Sequence, residues 1–251
     1  MRIKVLVAGC LLVAASAAAQ EVPAEMPTAI ALVPVVGTLP GVNGVRWQTD
    51  VELVNDSGSE AIVALELPTA PEAFAMILAL APGQVQRFSN LAGEAFGLDT
   101  ALSPLLVSTA GRRSVTIRAT VYAVTSEGIS APQPIAVQYG PSYYPLRALD
   151  GLTFSEEFRT NLGLVNLGAR EAEFVLALRR VPGRNLAVSN IRVPATSIVH
   201  VSVQSLFPLI TKGTDFSVVV ETPYPETHVY ASVIENATSA ARFIQPTIAT
   251  R

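Results

Sequence analysis

The sequence predicts an all-β protein: two tandem antiparallel β-sandwich domains behind a cleaved signal peptide. Three observations carry that reading. The first residues have the anatomy of an export signal, a stretch of nine residues is written twice, and apolar residues alternate with period two where helical periodicity is scarce.

The export segment is read first, because it leaves before the mature chain is counted. "MRIK" is a short basic head, "VLVAGCLLVAA" an apolar run too short to span a bilayer, and "SAAAQE" offers the small residues of a cleavage site. Residues 1–19 are therefore predicted to be a signal peptide cut after Ala19. The rival is a lipoprotein, since "VAGC" could direct lipid to Cys10, but Cys10 comes early and the apolar run continues beyond it. The mature chain is expected in the periplasm or outside the cell. No later apolar run reaches about 18 residues, so no transmembrane anchor is predicted.

Cleavage removes Cys10, the only cysteine, and with it any disulfide, thiol nucleophile or thiolate ligand. Taking Arg2 and Lys4 from the 17 Lys and Arg leaves 15 cations against 20 carboxylates, a formal charge of −5. That balance argues against a nucleic-acid partner, whose phosphates select basic faces. Without disulfides the fold must rely on its core, which about 230 residues can supply.

The repeat sets the domain count. "WQTDVELVN" begins at Trp47 and "FRTNLGLVN" at Phe158, 111 positions later. Thr49, Leu53, Val54 and Asn55 recur as Thr160, Leu164, Val165 and Asn166, and Leu65 and Leu67 as Leu176 and Leu178. Pro34 and Pro145 share the offset. After one added residue, the pairing continues through Pro82/Pro194, Ala119/Ala231, Val121/Val233, Gln133/Gln245 and Pro134/Pro246. A register held this long predicts tandem duplication, with domains at 27–138 and 142–251 and a boundary near Gly140 and Pro141.

Each copy reads as strands. Val51, Leu53 and Asn55 share one face of "TDVELVN", as Leu162, Leu164 and Asn166 do in the second copy. Val63, Leu65 and Leu67 line up with Phe174, Leu176 and Leu178, and "VTIRATVYAVT" and "THVYASVIENA" are rich in β-branched and aromatic residues. Turn signals such as "APGQ" and "TPYPE" punctuate the chain at sandwich spacing. Only "SNLAGEAFGL" and "VSVQSLFPL" predict a short helical turn each. Asn55 and Asn166 end their strands, where a side-chain amide can hold the following turn.

The pattern Trp47, Thr49, Asp50, Asn55, then Pro82, Gly83 and Phe96, resembles tandem immunoglobulin-like repeats of uncharacterised secreted bacterial proteins. The second copy keeps Phe158, Thr160, Asn161, Asn166, Pro194 and Phe207 but has Ala195 in place of the glycine. The resemblance covers nearly all of the mature chain. It implies export and an immunoglobulin-like sandwich, and no activity.

The search for chemistry returns little. A ligand or calcium site at Asp50 and Asn55 would lose three carboxylates in the second copy, where Asn161, Gly163 and Leu167 replace Asp50, Glu52 and Asp56, so a structural role is expected there. His228 is predicted to be a solvated sheet residue aligned with Thr116, and His200 aligns with Phe88 near a strand end. Glu156 and Glu157 are adjacent and point oppositely in a strand. No nucleophile elbow, zinc motif or phosphate loop is present. The expectation is no enzyme, no cofactor and no metal.

Tyr139, Tyr143 and Tyr144 form the one candidate binding cluster, either an aromatic platform for sugars or a partner protein, or packing between the domains. Two function classes follow. The first is a non-catalytic structural or protein-interaction module of the envelope or extracellular space. The alternative is a glycan or small-ligand binding protein that uses sandwich loops or the interdomain cleft.

Overall fold

The computed structural model describes residues 28–70, 74–110, 115–139, 144–180 and 184–249. The signal segment, the Gly140–Pro141 boundary and Tyr143 lie outside the described residues. The described chain is all-β, with antiparallel pairing throughout.

The first half begins with β1 (Thr28–Pro40), β2 (Arg46–Asn55), β3 (Ala61–Leu67) and β4 (Phe74–Leu80). After β5 (Val85–Phe88) comes α1 (Leu91–Glu94), then β6 (Ala101–Thr109) and β7 (Val115–Thr125). Three short strands close it, β8 (Gly128–Ile129), β9 (Gln133–Ile135) and β10 (Gln138–Tyr139). The second half runs β11 (Leu146–Phe154), β12 (Phe158–Asn166), β13 (Ala172–Arg180), β14 (Arg184–Val193) and β15 (Ser197–Ser202). It continues with α2 (Val203–Leu206), β16 (Gly213–Glu221), β17 (Thr227–Glu235), β18 (Ala241–Ile244) and β19 (Thr247–Ile248).

The second half forms two sheets, β14-β13-β16-β11-β19 and β15-β12-β17-β18, whose facing residues share one core. The first half has the corresponding pairings, but they merge into one ten-stranded sheet. The merger comes from β1. Its residues pair with β6 from Thr28 to Thr38, and the last three, Thr38 to Pro40, also pair with β2. A thirteen-residue strand can serve both layers because its register shifts between Val33 and Val36, where Pro34 has no N–H to give the ladder.

Alternation places the core as the sequence predicts. Thr49, Val51, Leu53 and Asn55 of β2 are buried, with half-buried residues between them. Both predicted helical turns form. Ser202 caps α2 by accepting a hydrogen bond from Ser205 N at 3.1 Å.

Part of the sequence pairing is corrected by register. Leu65 lies opposite Val107 and Leu176 opposite Val220, while Val33 lies opposite Leu105 and Leu149 opposite Val218. Val33 therefore matches Leu149. Pro34 sits within β1, whereas Pro145 precedes β11, so the two prolines are not equivalent. Likewise Ile135 faces Ala119 as Ile244 faces Ala231, which leaves Gln245 and Pro246 beyond β18 and unrelated to Gln133 and Pro134. The connections differ in length, and an offset carried across them drifts.

The strand-end asparagines do what their position suggests. Asn55 is fully buried; its Nδ2 donates to the carbonyls of Ser59 and Leu80, each at 2.8 Å, and Ala81 at 3.2 Å, while Oδ1 accepts from Ser57 N at 3.0 Å. Asn166 Nδ2 donates to Arg170 at 2.7 Å, Val193 at 3.1 Å and Pro194 at 2.9 Å, and Oδ1 accepts from Gly168 N at 3.0 Å. One amide thus ties three chain segments together in each half. Asn55→Ala or Asn166→Ala strands several carbonyls in a dry site and is expected to cost about 3 kcal/mol. Urea unfolding of each variant checks this, and a loss within about 0.5 kcal/mol, as at ordinary surface sites, would contradict the clamp.

Candidate functional site at the junction of the two halves

The same cross-strand row has opposite fates in the two halves. In the first, Glu52 lies opposite Arg87 on β5 and Arg118 on β7. Its carboxylate takes both guanidinium groups, Arg87 Nε at 2.6 Å and Arg118 Nη1 at 2.5 Å, and these hydrogen bonds hold its pKa below the usual carboxylate value. Both arginines are exposed, so the trio is a solvated face worth little to stability.

In the second half the row reads His200, Gly163, Tyr230. A Cβ on Gly163 would lie 2.1 Å from Tyr230 Cζ, so the phenol ring rests directly on the glycine backbone. Tyr230 is fully buried and stacks on Phe243 at 5.1 Å, with the His200 ring meeting it edge-on at 5.4 Å. His200 Nε2 and the Tyr230 hydroxyl share a hydrogen bond. Phe243 also packs against the core cluster of the first half. Gly163 and Val165, which alternation alone would leave on the wet face of β12, are buried. The outer face of this sheet is therefore partly covered, with His200 left exposed at its side.

A cavity of about 440 Å³ lies at this junction. From the first half it is lined by Val35, Gly37, Leu39 and Pro40 of β1, Leu102 of β6, Val121 of β7, and Trp47 and Thr49 of β2, together with Gly41 and Val42 between β1 and β2. From the second half come Arg159, Asn161, His200, Tyr230, Ser232, Ile234, Ala241 and Phe243. Gly41 lets the chain lie against the indole, since a Cβ there would be 2.8 Å from Trp47 Nε1. Most of the wall is apolar, with a few convergent polar groups, the usual make-up of a small-molecule site.

Both histidines belong to the junction. His228 is not the solvated residue expected from the sequence. It is half-buried, its Nδ1 is 2.9 Å from Gln138 Oε1 of the first half, and it lines a recess of about 150 Å³ with Tyr144 and Arg147. Burial, then the charge on Arg147, lowers its pKa to about 4. His200 corresponds to Arg87, not Phe88, and the protein crowded around its ring lowers its pKa to about 4. His200 is itself exposed to solvent, which works against that lowering, so the shift of half-buried His228 is the one that bears on stability.

Of the predicted tyrosine cluster, Tyr139 is 55% exposed with its hydroxyl accepting from Ile117 N at 3.2 Å, and Tyr144 is 43% exposed at the recess. Tyr139 lines neither cavity described here. Asp50 is occupied structurally, accepting from Asn90 N at 2.8 Å and the Tyr122 hydroxyl at 2.9 Å; burial and this bond push Tyr122 up to about 12. Among the described residues no group of three His, Cys, Asp or Glu is placed to hold a metal, and no helix is long and apolar enough to cross a membrane. Arg147 was not singled out from sequence; it is buried and donates to Thr227 O at 2.8 Å and Thr227 Oγ1 at 2.9 Å. Compared with family models, curated proteins and solved structures, the chain matches none.

Two outcomes are expected. Gly163→Ala displaces the Tyr230 ring and should lower the melting temperature and red-shift the emission of Trp47, the only tryptophan. Glu52→Ala, at the matching row, should change stability by less than about 1 kcal/mol; equal losses in the two variants would contradict the contrast. His228 binds a proton in the unfolded chain near pH 6.5 but in the folded one only near 4. Its contribution is complete above about pH 6.5 and is lost as pH falls toward 4. A His228→Gln variant should show a shallower fall of melting temperature between pH 7 and 5, and an unchanged slope would count against this linkage.

Proposed function

We propose that this chain is an exported, non-catalytic binding protein that holds a small, largely apolar ligand in the cavity at its junction. On this reading it consists of two tandem immunoglobulin-like β-sandwich domains, residues 27–138 and 142–251, behind a signal peptide at 1–19. The observation that carries the reading is the cavity itself. Its volume of about 440 Å³ falls within the range of ligand sites, and both halves supply its wall. A row that holds a solvated ion trio in the first half holds glycine and stacked aromatics in the second, which builds the wall.

A protein partner is the second reading, favoured by β14. It is the edge strand of its sheet, ten residues long, with Leu186 and Val188 44% and 59% exposed. An extended segment could add to such an edge through main-chain hydrogen bonds.

Trp47 lines the cavity and reports on its contents. Titration with N-phenylnaphthylamine, a neutral apolar fluorophore, should give saturable energy transfer from Trp47. Ser232→Phe fills the cavity and should weaken binding about tenfold or more, equivalent to about 1.4 kcal/mol, with unchanged circular dichroism. Binding that survives the substitution, or no binding by the parent protein, would contradict the reading.

A further inference from the structure

Three polar groups of the cavity lie together on one pair of strands. Asn161 lies directly opposite Ser232, and Arg159 opposite Ile234, on the paired strands β12 and β17. Arg159 and Asn161 are two residues apart on one strand and so share a face. The first half contributes the apolar side chains of Val35, Leu39, Leu102 and Val121 to the lining. The space therefore offers both a polar cluster and apolar surface.

Among the described residues, Arg159 is the only lining side chain with a full charge, and no carboxylate lines the cavity. Its Nη1 donates to Asn236 Oδ1 at 2.6 Å, a neutral partner, and among the described residues no carboxylate pairs with it. Burial lowers its pKa from the usual guanidinium value, so the fold works against this charge. A guanidinium offers five N–H donors in a planar fork that matches a carboxylate. Asn161 and Ser232 have no side-chain hydrogen bond to another described residue, and both stand beside it.

Resting on the junction cavity as the binding site, we infer that its ligand is an amphipathic carboxylate, with Arg159, Asn161 and Ser232 receiving the head and the β1, β6 and β7 wall receiving the apolar body. The Arg159 cation, paired with no carboxylate among the described residues, is neutralised by the ligand, and Tyr230 and Phe243 line the space around it.

The test compares dodecanoate with dodecanol, which differ in the head alone, by calorimetry and Trp47 fluorescence at pH 8 on the full mature chain. The parent protein should bind dodecanoate more tightly, with an affinity that falls as salt rises, while dodecanol is indifferent to salt. Arg159→Gln should weaken dodecanoate about tenfold to a hundredfold, the span of one charge-assisted hydrogen bond, and leave dodecanol unchanged. Arg159→Lys should recover part of the loss. Equal affinity for the two probes in the parent protein, or equal losses in Arg159→Gln, overturns the carboxylate assignment while leaving the cavity as a binding site. Failure of both probes to bind or to perturb Trp47 overturns the assignment together with the reading on which it rests. The salt dependence is read on the parent protein, so it decides the matter even if Arg159→Gln does not fold.

Discussion

The junction depends on one contact, the Tyr230 ring lying on the bare backbone of Gly163. A side chain at residue 163 would occupy the space the ring needs. With glycine there, the ring is buried against the strand and stacks on Phe243, so part of that sheet face is covered. Such aromatic contacts are worth about 0.5–1.5 kcal/mol beyond the area they bury. Their larger consequence is geometric. A covered sheet face gives the cavity a fixed second wall, and a fixed wall is what allows a few polar groups to be held in mutual register.

The two halves show how one scaffold yields two surfaces. Each is closed by a buried asparagine that gathers three backbone carbonyls, and each carries the same strand pairings around a core. Changes on one solvent-facing row separate them. Glu52 with Arg87 and Arg118 keeps water on its face, because charges that meet in solvent gain little from burial. Gly163 lets the Tyr230 ring bury itself there, with His200 exposed beside it. The tyrosine hydroxyl is then buried, with the His200 ring as its hydrogen-bonding partner.

Much of the fold was legible in the sequence for physical reasons. Alternation in "TDVELVN" marks the buried face of β2, the strand-end asparagines mark the turns they hold, and two short segments mark the helical turns. The site was far less legible. Alternation says which face of a strand is apolar, but not whether the other face meets water or protein. The signal for the junction was the exchange of Glu52 for Gly163. Read as the loss of a carboxylate, that exchange argued against calcium; read as the loss of a Cβ, it points to a ring approaching the backbone. His228 was misplaced for the same reason, since its strand looks half-wet until the first half covers it. The proline pairs misled because the connections change length between the halves, whereas strand pairing does not depend on loop length.

The most direct test of the closed junction is nuclear magnetic resonance of the mature chain. If the first half packs against the outer face of the β15-β12-β17-β18 sheet, Overhauser contacts are expected between the Phe243 ring and methyl groups of the first half's core. Backbone relaxation should then give one rotational correlation time for both halves. Absence of those contacts, with two shorter correlation times, would contradict a shared cavity wall.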